Sequence, residues 1–150
     1  LFAERALKDV IEPFKERAFA LLSQFSRDSL ADAEERQRLI DMMGKMMAAF
    51  IVEELNTRRG HLVAEQAFMQ EAIMDSRLRE LADLYLHQQL ESLMIATELF
   101  GSSNPRLDAE LILMAMMSIE QRLLVHPEKI SEEFVEARMC NLLDKLLPRG

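Results

Sequence analysis

Seven consecutive apolar residues, Leu111-Ile112-Leu113-Met114-Ala115-Met116-Met117, restrict the folds open to this chain more than any other feature. The run stands between a helix start, with Asn104 as N-cap and Pro105 at the first helical position, and a helix stop at His126-Pro127. Seven helical residues make about two turns and so cover every direction around the axis, whereas a surface helix carries its apolar side chains in one stripe. The run is far short of the roughly 20 residues that cross a membrane. A helix that is apolar all round must be covered all round. Either this segment is central in the fold, or its second face meets another chain.

The remaining sequence punctuates as helices too. Four Gly and four Pro stand mostly at boundaries, and no strand-like alternation occurs. Phe2, Ala6, Val10, Phe14, Leu21 and Phe25 recur at spacings of three, four and seven, which predicts a first helix over residues 2–25 with a kink at Pro13. Asp32, with Glu35 three residues on, predicts a capping box that starts a second helix running to about Leu55. A third is expected from Gly60 to Met74 and a fourth from Asp75-Ser76 to Phe100, stopped by Gly101. The fifth runs from Pro105 to His126, and the sixth from a Ser131 cap to Leu147. The expected architecture is an all-α six-helix bundle, one domain over residues 1–150. A chain of this length buries roughly 68–70% of its unfolded surface, enough for a core without staples.

Charge and cysteine content narrow the partners. Eighteen basic against 26 acidic side chains leave a net charge of −8, the wrong sign for tracking a phosphate backbone or an anionic leaflet. Neither nucleic acid nor membrane is an expected partner of these residues. The single Cys140 forms no internal disulfide and fits a reducing, cytoplasmic setting. The chain opens at Leu1-Phe2-Ala3-Glu4, without an initiator Met and already in a helical pattern, as a fragment with something upstream would.

Catalytic and metal signals are weak. Asp83, His87 and Glu91 fall four residues apart, but eight residues span about 12 Å of helix, so the outer carboxylates cannot both reach an ion on His87. With Glu80 and Glu98 they read as a solvated acidic face. A di-iron bundle needs Glu three residues before His, where Arg58, Leu84 and Leu123 stand. No glycine-rich phosphate loop and no Gly-x-Ser-x-Gly elbow occurs. No enzyme activity, metal or cofactor is expected.

Binding signals are stronger. Eleven Met, four of them in Met42-Met43-Gly44-Lys45-Met46-Met47, provide thioethers that fill an irregular core or repack around apolar ligands. Gly44 inside that helix marks a bend or a close approach. Gln66, Gln70, Tyr85, Gln88 and Gln89 lie among apolar neighbours, as surface residues or as groups that orient a ligand. His61 and His126 sit at helix ends and have capping readings. The expected ligand contacts are Met43, Met47, Phe50, Phe68 and Tyr85, with Gln66 or Gln89 for orientation. The expected partner-facing residues are Ile112, Ala115, Met116, Ile119 and Leu123 on the fifth helix and Val135, Met139, Leu142 and Leu146 on the sixth, forming a symmetric four-helix interface.

Taken in order, the segments resemble the C-terminal ligand-binding and dimerisation domain of the TetR family of bacterial transcriptional regulators. Leu1 to Ala18 is similar to the long helix that leaves that family's DNA-binding domain. Residues 58–66, Arg-Arg-Gly-His-Leu-Val-Ala-Glu-Gln, followed by Met74-Asp75-Ser76-Arg77-Leu78-Arg79, resemble its mid-domain helix and break. Leu99 to Pro105, leading into Asp108-Ala109-Glu110-Leu111, resembles the entry to its penultimate helix. The resemblance implies a homodimer through the last two helices and a small-molecule pocket in each protomer. It also implies a repressor that binds DNA only through an N-terminal helix-turn-helix absent from this sequence. The function expected is thus effector sensing, with a mainly hydrophobic ligand changing operator affinity. The alternative is a helical protein-association module without a small-molecule site.

Overall fold

A computed structural model describes residues 12–26 and 28–149 and is all-helical over them, with six α-helices and no strand. These are α1 (Glu12–Leu22), α2 (Ala33–Thr57), α3 (Arg59–Met74), α4 (Ser76–Leu99), α5 (Pro105–Val125) and α6 (Glu132–Leu146). Short 3-10 turns at Asp28–Ala31 and Pro127–Lys129 fill two of the joints. The part of the first helix expected around Phe2, Ala6 and Val10, and with it the turns that a kink at Pro13 would involve, lies outside the described residues. None of the described helices is long and apolar enough to cross a membrane.

Local chemistry accounts for the boundaries. Asn104 accepts from the Leu107 backbone N–H at 3.3 Å and Pro105 opens α5; Ser131 accepts from Phe134 N–H at 3.1 Å to open α6. Asp75 both ends α3 and caps α4, accepting from Arg77 N–H at 2.9 Å. Gly101 follows α4 with φ of 79°, the left-handed conformation that a side chain disfavours. The capping box expected at Asp32 is only half formed. Asp32 accepts from Glu34 N–H at 2.9 Å, but Glu35 turns away to pair with Arg38, and the Asp32 N–H donates to the Ser29 carbonyl instead.

The core is built on α2. Leu39, Ile40, Ile51 and Leu55 on this helix are fully buried, together with Leu123 of α5 and Val135, Met139 and Leu143 of α6. The pair α2 and α6 is the most extensively packed in the fold, followed by α4 and α5. Gly44 explains how close α2 and α6 come: a methyl group there would overlap Cys140 Sγ. Of the two sequence readings of Gly44, the close approach is the one observed. At the far end of the same seam, Arg36 is buried on α2 and donates to the Asp144 carboxylate at 2.6 Å. It also donates to the carbonyls of Asp144 at 2.6 Å, Leu147 at 3.0 Å and Pro148 at 3.1 Å. One guanidinium thereby satisfies carbonyls that the end of α6 leaves without intrahelical partners.

This packing corrects the interface residues read from the sequence. Ile112, Met116, Ile119 and Leu123, and likewise Val135 and Met139, are closed off inside the protomer and present no surface to a partner. Ala115, Leu142 and Leu146 are half-buried. The apolar surface that α5 leaves in water is its opposite side: Leu107, Leu111, Met114 and Val125, with Met114 64% exposed. The run of residues 111–117 is apolar in every direction, so its spacing carried no information about which side faced inward.

Candidate functional site

Six helices leave a cavity of about 130 Å³ between them. Ala18 and Phe19 of α1, Met43, Met47 and Phe50 of α2, Leu62 of α3, Leu93 and Ala96 of α4, Ile112, Leu113, Met116 and Met117 of α5, and Leu143 of α6 form its apolar walls. The walls follow from the helix periodicity: Met43, Met47 and Phe50 stand at spacings of four and three, and so share one face of α2. The two thioethers are buried side chains with several rotatable bonds, which suits a wall that adapts to its contents.

Polar groups enter the lining from five helices, with Lys15 of α1 among them. Glu54 of α2, His61 and Glu65 of α3, Tyr85, Gln89 and Ser92 of α4, and Glu120 of α5 all reach it. Tyr85 is buried, and its phenol hydrogen-bonds with the Glu65 side chain and with Gln89. Burial and the neighbouring carboxylates, Glu65 foremost, push its ionisation far above the ordinary range, so the ring keeps its O–H. Burial raises the Glu65 carboxyl, partly offset by the Tyr85 hydrogen bond. Glu54 is buried and raised for the same first reason, with Arg58 at 3.9 Å working against it. Glu120 is the extreme case, pushed up to about 8 by desolvation and then by Glu65 and Glu54. It keeps some accessible surface because it stands on the cavity wall, yet that surface does not hydrate it like bulk water. His61 is pushed down by burial and by Arg58, which favours the neutral ring.

Among the residues expected to touch a ligand, Met43, Met47, Phe50, Tyr85 and Gln89 stand on this one cavity. Gln66 and Phe68 do not; both are half-buried on α3 outside this lining. Glu54, Glu65 and Glu120 were missed. Each stands three or four residues from an apolar side chain, namely Ile51, Leu62 and Met116, a spacing that many acidic residues of an amphipathic helix share and that does not single these out. Among the described residues no group of three or more His, Cys, Asp or Glu side chains has an arrangement that could hold a metal ion. His87 and Glu91 form an exposed pair at 3.0 Å.

No protein-family model and no curated protein matches the chain.

Proposed function

We propose that this chain is the effector-sensing and dimerisation domain of a TetR-type transcriptional repressor, acting in the cytoplasm and reaching DNA only through a separate N-terminal domain. The observation that carries the reading is the cavity itself: apolar walls from six helices, with a cluster of polar groups gathered in the same lining. Ligand pockets have this composition, because apolar walls supply affinity and a few placed polar groups supply orientation.

The position of α1 supplies a mechanism. Lys15, Ala18 and Phe19 line the cavity, and in the family resemblance this is the helix that continues into the DNA-binding domain. A ligand that fits one placement of α1 better than another shifts the population between them, by no more than its difference in affinity for the two. In a dimer, that shift changes the spacing of two DNA-reading domains. The exposed apolar side of α5, Leu107, Leu111 and Met114, is the surface assigned to the partner copy.

The test is a thermal-shift series with small aryl and alkyl compounds, run beside analytical ultracentrifugation. The reading expects a dimer whose melting temperature rises with a compound that fits the cavity. A protein that is monomeric at high concentration and unresponsive to every compound would overturn it. The same exposed residues on α5 favour a second reading, an association module whose cavity is a packing defect; a dimer without any ligand response would select it.

A further inference from the structure

Resting on the sensing role proposed for this cavity, we infer that its ligand is a compact organic cation, an ammonium group carried on an aryl or short alkyl body. Three carboxyl groups from three different helices, Glu54, Glu65 and Glu120, line a single cavity whose remaining walls are mainly apolar. Two of them have a partial partner within the protein: Arg58 stands 3.9 Å from Glu54, and the Tyr85 phenol hydrogen-bonds with Glu65. Glu120 has neither a hydrogen bond nor an ion pair among the described residues, although it is strongly desolvated and faces both other glutamates. Burying a carboxyl in this way is costly unless something compensates it.

The charges facing Glu120 decide what that something is. Lys15 of α1 lies on the cavity wall, but its ammonium sits 5.7 Å from the Phe19 ring centroid and forms no ion pair with the glutamates. His61 of α3 is biased to the neutral ring, Tyr85 of α4 stays protonated, and Arg58, between α2 and α3, is directed to Glu54. The lining is therefore acidic in balance. The three glutamates do not converge as metal ligands, so the matching charge is larger and more diffuse than a metal ion. An alkylated or aryl-bearing ammonium has that character, and four aromatic residues, Phe19, Phe50, Phe100 and Tyr85, stand in the lining. A cavity of about 130 Å³ is close to the size that admits a single benzene ring, which limits the body of the ligand.

Cation binding here also expels a proton. Desolvation and the two neighbouring glutamates keep Glu120 mostly protonated at pH 7; a bound ammonium favours the carboxylate, so the proton leaves to solvent. The experiment is isothermal titration calorimetry at pH 7 with benzylammonium, benzyl alcohol and phenylacetate, each in phosphate and in Tris, on the parent chain and on Glu120→Gln. The cation is expected to bind at least about tenfold tighter than either other probe, with release of close to one proton read from the buffer dependence of the heat. Glu120→Gln should lose about tenfold or more for the cation, abolish the proton release and leave benzyl alcohol unchanged. Benzyl alcohol or phenylacetate binding as tightly as the cation overturns the charge assignment while the sensing role stands. Cation binding that Glu120→Gln leaves intact also overturns it, as does failure of all three probes; the sensing role itself falls only when the wider thermal-shift series also finds no ligand.

Discussion

Gly44 offers the sharpest test of how the two best-packed helices meet. Replacing Gly by Ala inside a helix ordinarily stabilises by about 1 kcal/mol, because the backbone has less freedom to lose. Here the added methyl would overlap Cys140 Sγ, while Cys140 Cβ lies at a comfortable 3.6 Å. The sulfur is held in a half-buried site between α2 and α6, 3.7 Å from the Ile40 carbonyl. Relieving the overlap requires the sulfur to leave that rotamer or the helices to separate, and overpacking of this kind costs about 1–3 kcal/mol. Gly44→Ala is therefore expected to destabilise the protein by about 1 kcal/mol net. In a Cys140→Ala background the obstructing atom is gone, the remaining Cβ is at ordinary contact distance, and the same substitution should stabilise by about 1 kcal/mol. The coupling energy is about 2 kcal/mol, well above the few tenths expected of independent sites. Urea denaturation of the four proteins in the cycle, with equal m-values as the check on a common unfolded state, measures it. Gly44→Ala stabilising to the same extent in both backgrounds would refute the close approach of α2 and α6.

Three further outcomes follow from the same geometry. Glu120 holds a proton in the native state that the unfolded chain releases above its ordinary range near 4.5, so its favourable contribution is complete below that pH and is lost as pH rises through about 8. Glu120→Gln should accordingly raise the melting temperature by several degrees at pH 8.5 and change it little at pH 5, and calorimetry showing the same shift at both pH values would contradict the desolvated carboxyl. Arg36→Met removes four hydrogen bonds that bind the end of α6 to α2. A loss of about 2–4 kcal/mol is expected by chemical denaturation, and a loss below about 1 would mean that the last turn of α6 is held by packing alone. Met114→Glu and Met116→Glu separate surface from core on α5: the first is expected to weaken self-association with little change in the monomer's circular dichroism, the second to unfold the protein. Sedimentation in which Met114→Glu remains as associated as the parent would remove α5 from the interface.

What could be read from the sequence was whatever depends on a few neighbouring residues. Gly101, Asn104, Pro105 and Ser131 mark helix ends through their own backbone and side-chain chemistry, so the six helices and their order were legible. Met43, Met47 and Phe50 could be grouped because they share one helix face, and Tyr85 and Gln89 because polar groups beside apolar ones need a partner. Facing was harder. Residues 111–117 give a period-free apolar signal that does not distinguish the inner side of α5 from the outer, and the seam of Val135 and Met139 on α6, which reads from spacing as a contact with a second chain, packs within the protomer. The glutamates were hidden for a different reason. In a chain with 26 acidic residues each looks like part of a solvated face, and only the meeting of α2, α3 and α5 puts Glu54, Glu65 and Glu120 on one cavity. Charge that is unremarkable on each helix alone becomes a binding determinant when three helices bring it out of water together, and such a sum over elements distant in sequence is absent from any local pattern.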